Sequence, residues 1–159
     1  MRQVGNLCVT FYRIEARSRP KATQAFSGEG ALLYAGRWHP RGIRVVYASS
    51  SAALACLETL VHMQTLTHPA ERWLFAIDVP DQFVDQLREL PRGWDAEPAS
   101  AASQRVGDDW IATQRSVALL VPSTIVPMEM NVLVNPRHPK FRIEWVKARV
   151  RFRYDPRLK

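Results

Sequence analysis

The sequence predicts an α+β fold: one domain over residues 1–159, with a mixed or largely antiparallel sheet as its core and few helices. Three observations carry this expectation. Short runs rich in β-branched and aromatic residues recur along the chain, as "LCVTFYRI", "RVVYAS", "RWLFAIDVP" and "SVALLVPS" do. Gly and Pro separate most of these runs, with 7 Gly and 11 Pro in all. Only two segments have convincing helical character, and no repeat, low-complexity tract or linker divides the chain.

The elements follow in order. Residues 7–14 read as a strand, and 17–42 as loop with one helical turn near 21–26. Residues 44–49 read as a short buried strand. The clearest helix is "SSSAALACLETLVHMQTL", 49–66, where serines offer an N-cap and Ala and Leu favour the helix. Residues 72–80 form a strand closed by Pro80, and 81–91 a short loop or helical turn. A polar stretch leads into a helix near 107–115, followed by strands at 116–123 and 128–139, the latter stopped by Asn135-Pro136. The end, 141–155, alternates: Val146, Ala148, Val150, Phe152 and Tyr154 share one side, Lys147, Arg149, Arg151 and Arg153 the other. That pattern predicts a half-buried strand with a basic outer face.

Composition narrows the class. Hydrophobic residues make up 47% and charged residues 23%, as expected of a globular chain. No apolar run reaches the roughly 18 residues a membrane span needs, and residues 1–20 lack an apolar core followed by a small-residue cleavage site. A soluble, cytoplasmic protein is the expectation. Cys8 and Cys56 make no disulfide framework. The net charge of +7 is unevenly placed: residues 137–159 hold nine Arg and Lys against Glu144 and Asp155, while residues 1–136 hold 13 basic and 13 acidic side chains. The basic end reads as a protected edge strand, as a dock for an acidic protein or, least well, as a nucleic-acid surface, because its aromatic residues alternate inward.

Two features are candidates for chemistry. On the helix at 49–66, apolar side chains cover most of the circumference, and Glu58, His62 and Thr65 share the narrow polar gap. That gap is either a solvated stripe with a Glu58–His62 pair or the wall of a polar cleft. Arg37 sits between Gly36 and Trp38 in a glycine-rich loop. It is either part of a structural turn or a planar fork for phosphate oxygens. Neither G-x-G-x-x-G nor G-x-x-x-x-G-K-[ST] occurs, and neither does G-x-S-x-G. His39, His62, His68 and His138 have no metal-ligand spacing, so no metal is expected.

The ordered series "FYRI" (11–14), "GRWHPRGIRVVYAS" (36–49), "ALACLETLVH" (53–62), "GDDW" (107–110), "VPSTIVPMEMNVLVNPRHP" (121–139) and "FRYDPRL" (152–158) resembles the RES domain. That family supplies the toxins of bacterial RES–Xre toxin–antitoxin pairs. The resemblance runs from about residue 11 to 158. It implies an ADP-ribosyltransferase-like fold, NAD as substrate and an Xre-like antitoxin as partner. It also implies an active set of Arg37, Tyr47 and Glu58, with Arg13 and Ser123 as further pocket positions. His39 stands where the family more often has Asn, and little consequence is expected.

The chemistry suits these residue types. Breaking the nicotinamide–ribose bond passes through an oxocarbenium-like centre, as glycoside hydrolysis does. Glu58 would stabilise the developing cation, Arg37 and Arg13 would hold the diphosphate, Tyr47 would stack on or orient nicotinamide, and Ser123 would bond the carboxamide or ribose. The acceptor separates the readings: water or phosphate in an NAD glycohydrolase or phosphorylase, a cellular protein in a mono-ADP-ribosyltransferase. A non-enzymatic partner- or nucleic-acid-binding module is the reading from a different class.

Overall fold

The computed structural model describes residues 7–63 and 71–158. β1 (Cys8–Ala16) and β3 (Arg72–Pro80) pair antiparallel over their whole length, from Cys8 opposite Pro80 to Ala16 opposite Arg72. β7 (Val146–Phe152) adds to the far side of β3. On the other side lie β2 (Val46–Ser49), β6 (Met130–Val134), β5 (Ala118–Pro122) and β4 (Val84–Gln86). The order is β4-β5-β6-β2-β1-β3-β7. Only β4 and β5 run parallel, which makes the sheet mixed.

The two halves of this sheet meet at one residue pair, Tyr12 opposite Ser49. Beyond it the ladder stops and Arg13 takes over. Its Nε donates to the Ala25 carbonyl at 2.8 Å, and one terminal nitrogen donates to the Tyr47 carbonyl at 2.8 Å. The other terminal nitrogen pairs with Glu15. A guanidinium thus satisfies a backbone acceptor of β2 where the ladder has stopped, and ties β1 to the end of α1 (Ala22–Ala25).

Alternation along the strands splits the core in two. Phe11, Phe75, Ile77, Val46, Val132 and Val134 bury one face with Phe26. Leu119, Val121 and Leu133 bury the other against Trp38 and Trp110. Trp110 comes from α4 (Ala101–Thr113), capped by Ser100, and its indole donates to Ser116 Oγ at 2.8 Å. Gly107 brings α4 onto the Trp38 carbonyl, because a Cβ there would lie 1.7 Å from that oxygen.

Several sequence expectations change. The segment 17–42 holds two short helices, α1 (Ala22–Ala25) and α2 (Glu29–Leu33), where one helical turn was expected. Residues 81–91 hold a 3-10 turn at Asp81–Phe83 and then β4, three residues long and legible only beside its partner. α4 starts at residue 101 rather than near 107, because Ala and Ser there form a capped helix that reads as loop by composition. α3 (Ala52–Val61), capped by Ser51, buries Leu54 and Ala55 but leaves Leu57 38% and Val61 64% exposed, so its wide apolar arc is not wholly covered. The expected end of that helix at 64–66, with Thr65, and His68 lie outside the described residues. β7 is not half-buried with a basic outer face: residues 147–151 are exposed on both faces, and Arg149 and Arg151 lie on the Phe75 side of the sheet. Among the described residues no helix is long and apolar enough to cross a membrane.

Candidate active site

A cavity of about 730 Å³ opens where the two halves of the sheet diverge. Its floor is the meeting of β1 and β2, including Tyr12, Arg13, Tyr47 and Ser49. α3 forms one wall through Glu58, with His62 at its C-terminal cap. The Gly36–Trp38 turn and residues 97–99 form the facing wall. Arg13, Arg37, Tyr47 and Glu58 therefore line one space, although they come from β1, a turn, β2 and α3.

Glu58 is held on one oxygen. Its Oε1 accepts from Ser123 Oγ at 2.8 Å and from Asn131 Nδ2 at 2.5 Å. Among the described residues no hydrogen bond reaches Oε2. Each donor is itself fixed. Ser123 Oγ accepts from the backbone N–H groups of Ile125 and Val126 at 3.0 and 3.1 Å, which leaves its single proton for Glu58. Asn131 Oδ1 accepts from Ser49 Oγ at 3.1 Å, so its amide must turn its nitrogen to the carboxylate. Ser123 is 1% exposed and lies behind the cavity wall; Thr124 and Ile125 form the wall beside it.

Tyr47 is fixed from its hydroxyl end. The phenolic oxygen accepts from the Trp38 N–H at 3.2 Å and lies 2.9 Å from His39 Nδ1. His39 Nε2 faces the Tyr34 carbonyl at 3.1 Å, which can only accept, so Nε2 carries the proton. Nδ1 is then the acceptor for the Tyr47 proton. Burial pushes the Tyr47 hydroxyl well above the usual phenol range; the Trp38 N–H and Arg37 oppose that rise, and Glu58 adds to it. Burial also lowers the His39 pKa, against the effect of the Tyr34 carbonyl, and keeps the ring neutral. The turn closes tightly: a Cβ at Gly36 would lie 2.6 Å from both the Tyr47 hydroxyl and the His39 ring.

Arg37 reaches across to the loop after β4. One terminal nitrogen donates to the Trp94 and Ala96 carbonyls at 2.9 and 2.7 Å, and the other meets Glu97 at 3.1 Å. Trp38 stacks on Trp94 at 5.8 Å and holds the same loop. Asn131, Ser49 and the two roles of His39 are absent from the sequence reading. Asn131 had a signal, since Asn is uncommon inside a strand as apolar as "MNVLV". Among the described residues no group of three His, Cys, Asp or Glu side chains is placed to hold a metal ion.

The arrangement combines a rigid carboxylate with one open oxygen, an aromatic wall and two guanidinium groups around a cavity of ligand size. The RES domain model matches residues 10–155. The chain is 43% identical to a Prs ADP-ribosylating toxin of Sphingobium sp. (strain YBL2), over 96% of this chain and 98% of that one. It is 40% identical to a Toxin Res of Yersinia enterocolitica, over 93% and 98%, and 41% identical to a Toxin Res of Photorhabdus laumondii, over 84% and 88%. Matched along nearly its whole length to that domain and to toxins that carry it, the chain belongs to the RES domain family of toxins.

Proposed function

We propose that the cavity binds NAD and breaks the bond between nicotinamide and ribose. The bonding of Glu58 supports this most directly: Glu58 lines the cavity, and two donors hold its Oε1 while no hydrogen bond among the described residues engages Oε2. In the step, the C1′–N bond breaks and its electron pair neutralises the positive ring nitrogen, so nicotinamide leaves uncharged. Neither a general acid nor a metal is required. Positive charge grows at C1′, and a fixed carboxylate beside the ribose stabilises it without reorganising. Oε2 would also accept from a ribose hydroxyl. Water or a protein hydroxyl then bonds to C1′ through oxygen and releases its proton to solvent, whereas phosphate bonds through an oxygen that carries none.

Cationic charge takes the diphosphate. Arg37 would exchange Glu97 for phosphate oxygens; an exposed ion pair of this kind is worth about 0–1 kcal/mol, so exchange is cheap. Arg13 keeps its backbone bonds and its Glu15 partner, so it shapes the floor and leaves the diphosphate mainly to Arg37. Tyr47 serves through its ring, because its hydroxyl is spoken for. Ser123 acts through Glu58 rather than on the ligand.

The second reading is transfer of ADP-ribose to a cellular protein. It is favoured by the Sphingobium relative, whose name gives Prs as the protein it modifies. An Xre-like antitoxin is the neutralising partner in either case, the cytoplasm the setting, and residues 1–159 act as one domain. Purified protein is incubated with NAD, with and without phosphate, and with labelled NAD in lysate. Release of nicotinamide is expected. ADP-ribose or its phosphate in solution marks hydrolysis or phosphorolysis, and a labelled protein band marks transfer. NAD left intact in every mixture overturns the proposal.

A further inference from the structure

β7 is the outer strand of the sheet, and residues 147–151 are exposed on both faces. The register sorts its side chains. Val150 lies opposite Leu74 and Ala148 opposite Ala76, on one face, and Val150 is 51% exposed. Arg149 and Arg151 lie opposite Phe75 and Trp73 on the other face. Their guanidinium carbons sit 4.6 and 5.9 Å from the Trp73 ring. Arg149 also donates to the Pro20 carbonyl, which holds it at the edge. Among the described residues this outer edge has no strand beside it; it carries the exposed Ala148 and Val150 on one face and the cationic Arg149 and Arg151 on the other.

We propose that this edge docks an extended segment of a partner protein whose residues alternate acidic and apolar, as an eighth strand beside β7. The backbone of an outer strand offers unpaired N–H and C=O groups to such a segment, and alternate side chains set its specificity. Two features favour this occupant. The charge is complementary: the net +7 of the chain equals that of residues 137–159. The periodicity is complementary too, since acids at every second position meet Arg149 and Arg151 while apolar residues between them cover Ala148 and Val150. A second copy of the chain is disfavoured, because pairing β7 with β7 sets these arginines against each other. Nucleic acid gains nothing from the apolar row, and the nearby Trp73 is already covered by arginines. The docking is independent of the NAD reading.

The test is hydrogen exchange on the unaltered full chain with a synthetic peptide of five Glu-Val repeats, beside peptides of five Lys-Val and five Glu-Gly repeats and a 20-base-pair DNA duplex. The Glu-Val peptide should newly protect alternate amides within 146–152. The Lys-Val peptide should not, and the Glu-Gly peptide should bind at least tenfold more weakly. Arg151→Glu, and Arg149→Glu with Arg151→Glu, should weaken Glu-Val binding at least tenfold, and the double variant should prefer Lys-Val. NAD cleavage by Arg151→Glu should match the parent. Absence of new protection in 146–152, equal protection by Glu-Val and Lys-Val, or protection by the duplex alone would overturn the proposal.

Discussion

On the α3 side of the cavity, Glu58 is held by one buried side chain and one half-buried one. Ser123 and Asn131 meet its Oε1, and both are pinned by backbone N–H groups or by Ser49. On the opposite side, Arg37 is held by loop carbonyls and by Glu97, whose side chain is 83% exposed. The carboxylate cannot change partners without leaving the buried Ser123 hydroxyl unpaired. The guanidinium can release its acid to water at little cost. In the proposed reaction, the wall that would stabilise the transition state is the rigid one, and the wall that would grip the substrate is the exchangeable one.

The sharpest way to break this comparison is Glu58→Gln, which keeps the shape and removes the charge. NAD cleavage should fall by about 10²–10³-fold, the scale of losing one preorganised electrostatic contact. Single-turnover nicotinamide release measures it, and a rate equal to the parent's would refute the role given to Glu58. Next is Asn131→Ala, which removes a donor but not the charge. A hydrogen bond to a charged group is worth about 1.5–3 kcal/mol, so kcat should drop roughly 10- to 100-fold with KM little changed. A rise in KM alone would show that Asn131 touches substrate rather than positioning Glu58.

A pH titration probes the other wall. His39 has its pKa lowered by burial, so the unfolded chain binds its proton more readily than the folded one. Stability contributed by neutral His39 is complete above the ordinary histidine value near 6.5 and falls as the pH drops below it. Thermal melts from pH 7.5 to 5 should show that fall, and His39→Asn should flatten it. The smallest effect belongs to Glu97→Gln. Freeing Arg37 should lower the KM for NAD by about two- to fivefold, within the range for one exposed ion pair. An increase in KM would mean that Glu97 itself helps to bind.

Much of the scaffold was legible in the chain. β1, β2, β3, β5 and β6 follow from runs such as "FYRI" and "RWLFAIDVP", and α3 follows from "AALACLETL" after its serines. The spacing that sets Glu58 and His62 four residues apart on one helical stripe was equally plain, and both line the cavity. β4 was not legible, since a three-residue strand has no period of its own. The exposure of β7 was not either, because alternation states which residues share a side and says nothing about what covers it.

By itself, the sequence determined the α+β class, most of the longer elements and the concentration of charge at the C-terminal end. Tertiary structure alone decided that Arg13 bridges the opening between β1 and β2, that Ser123 stands behind Glu58, that Asn131 holds it from 73 residues away, and that Arg37 is shared with Glu97. The physical reason is range. Propensity and periodicity act over a few neighbouring residues, whereas these hydrogen bonds join groups that are distant in the chain and become neighbours only once the sheet has set its register.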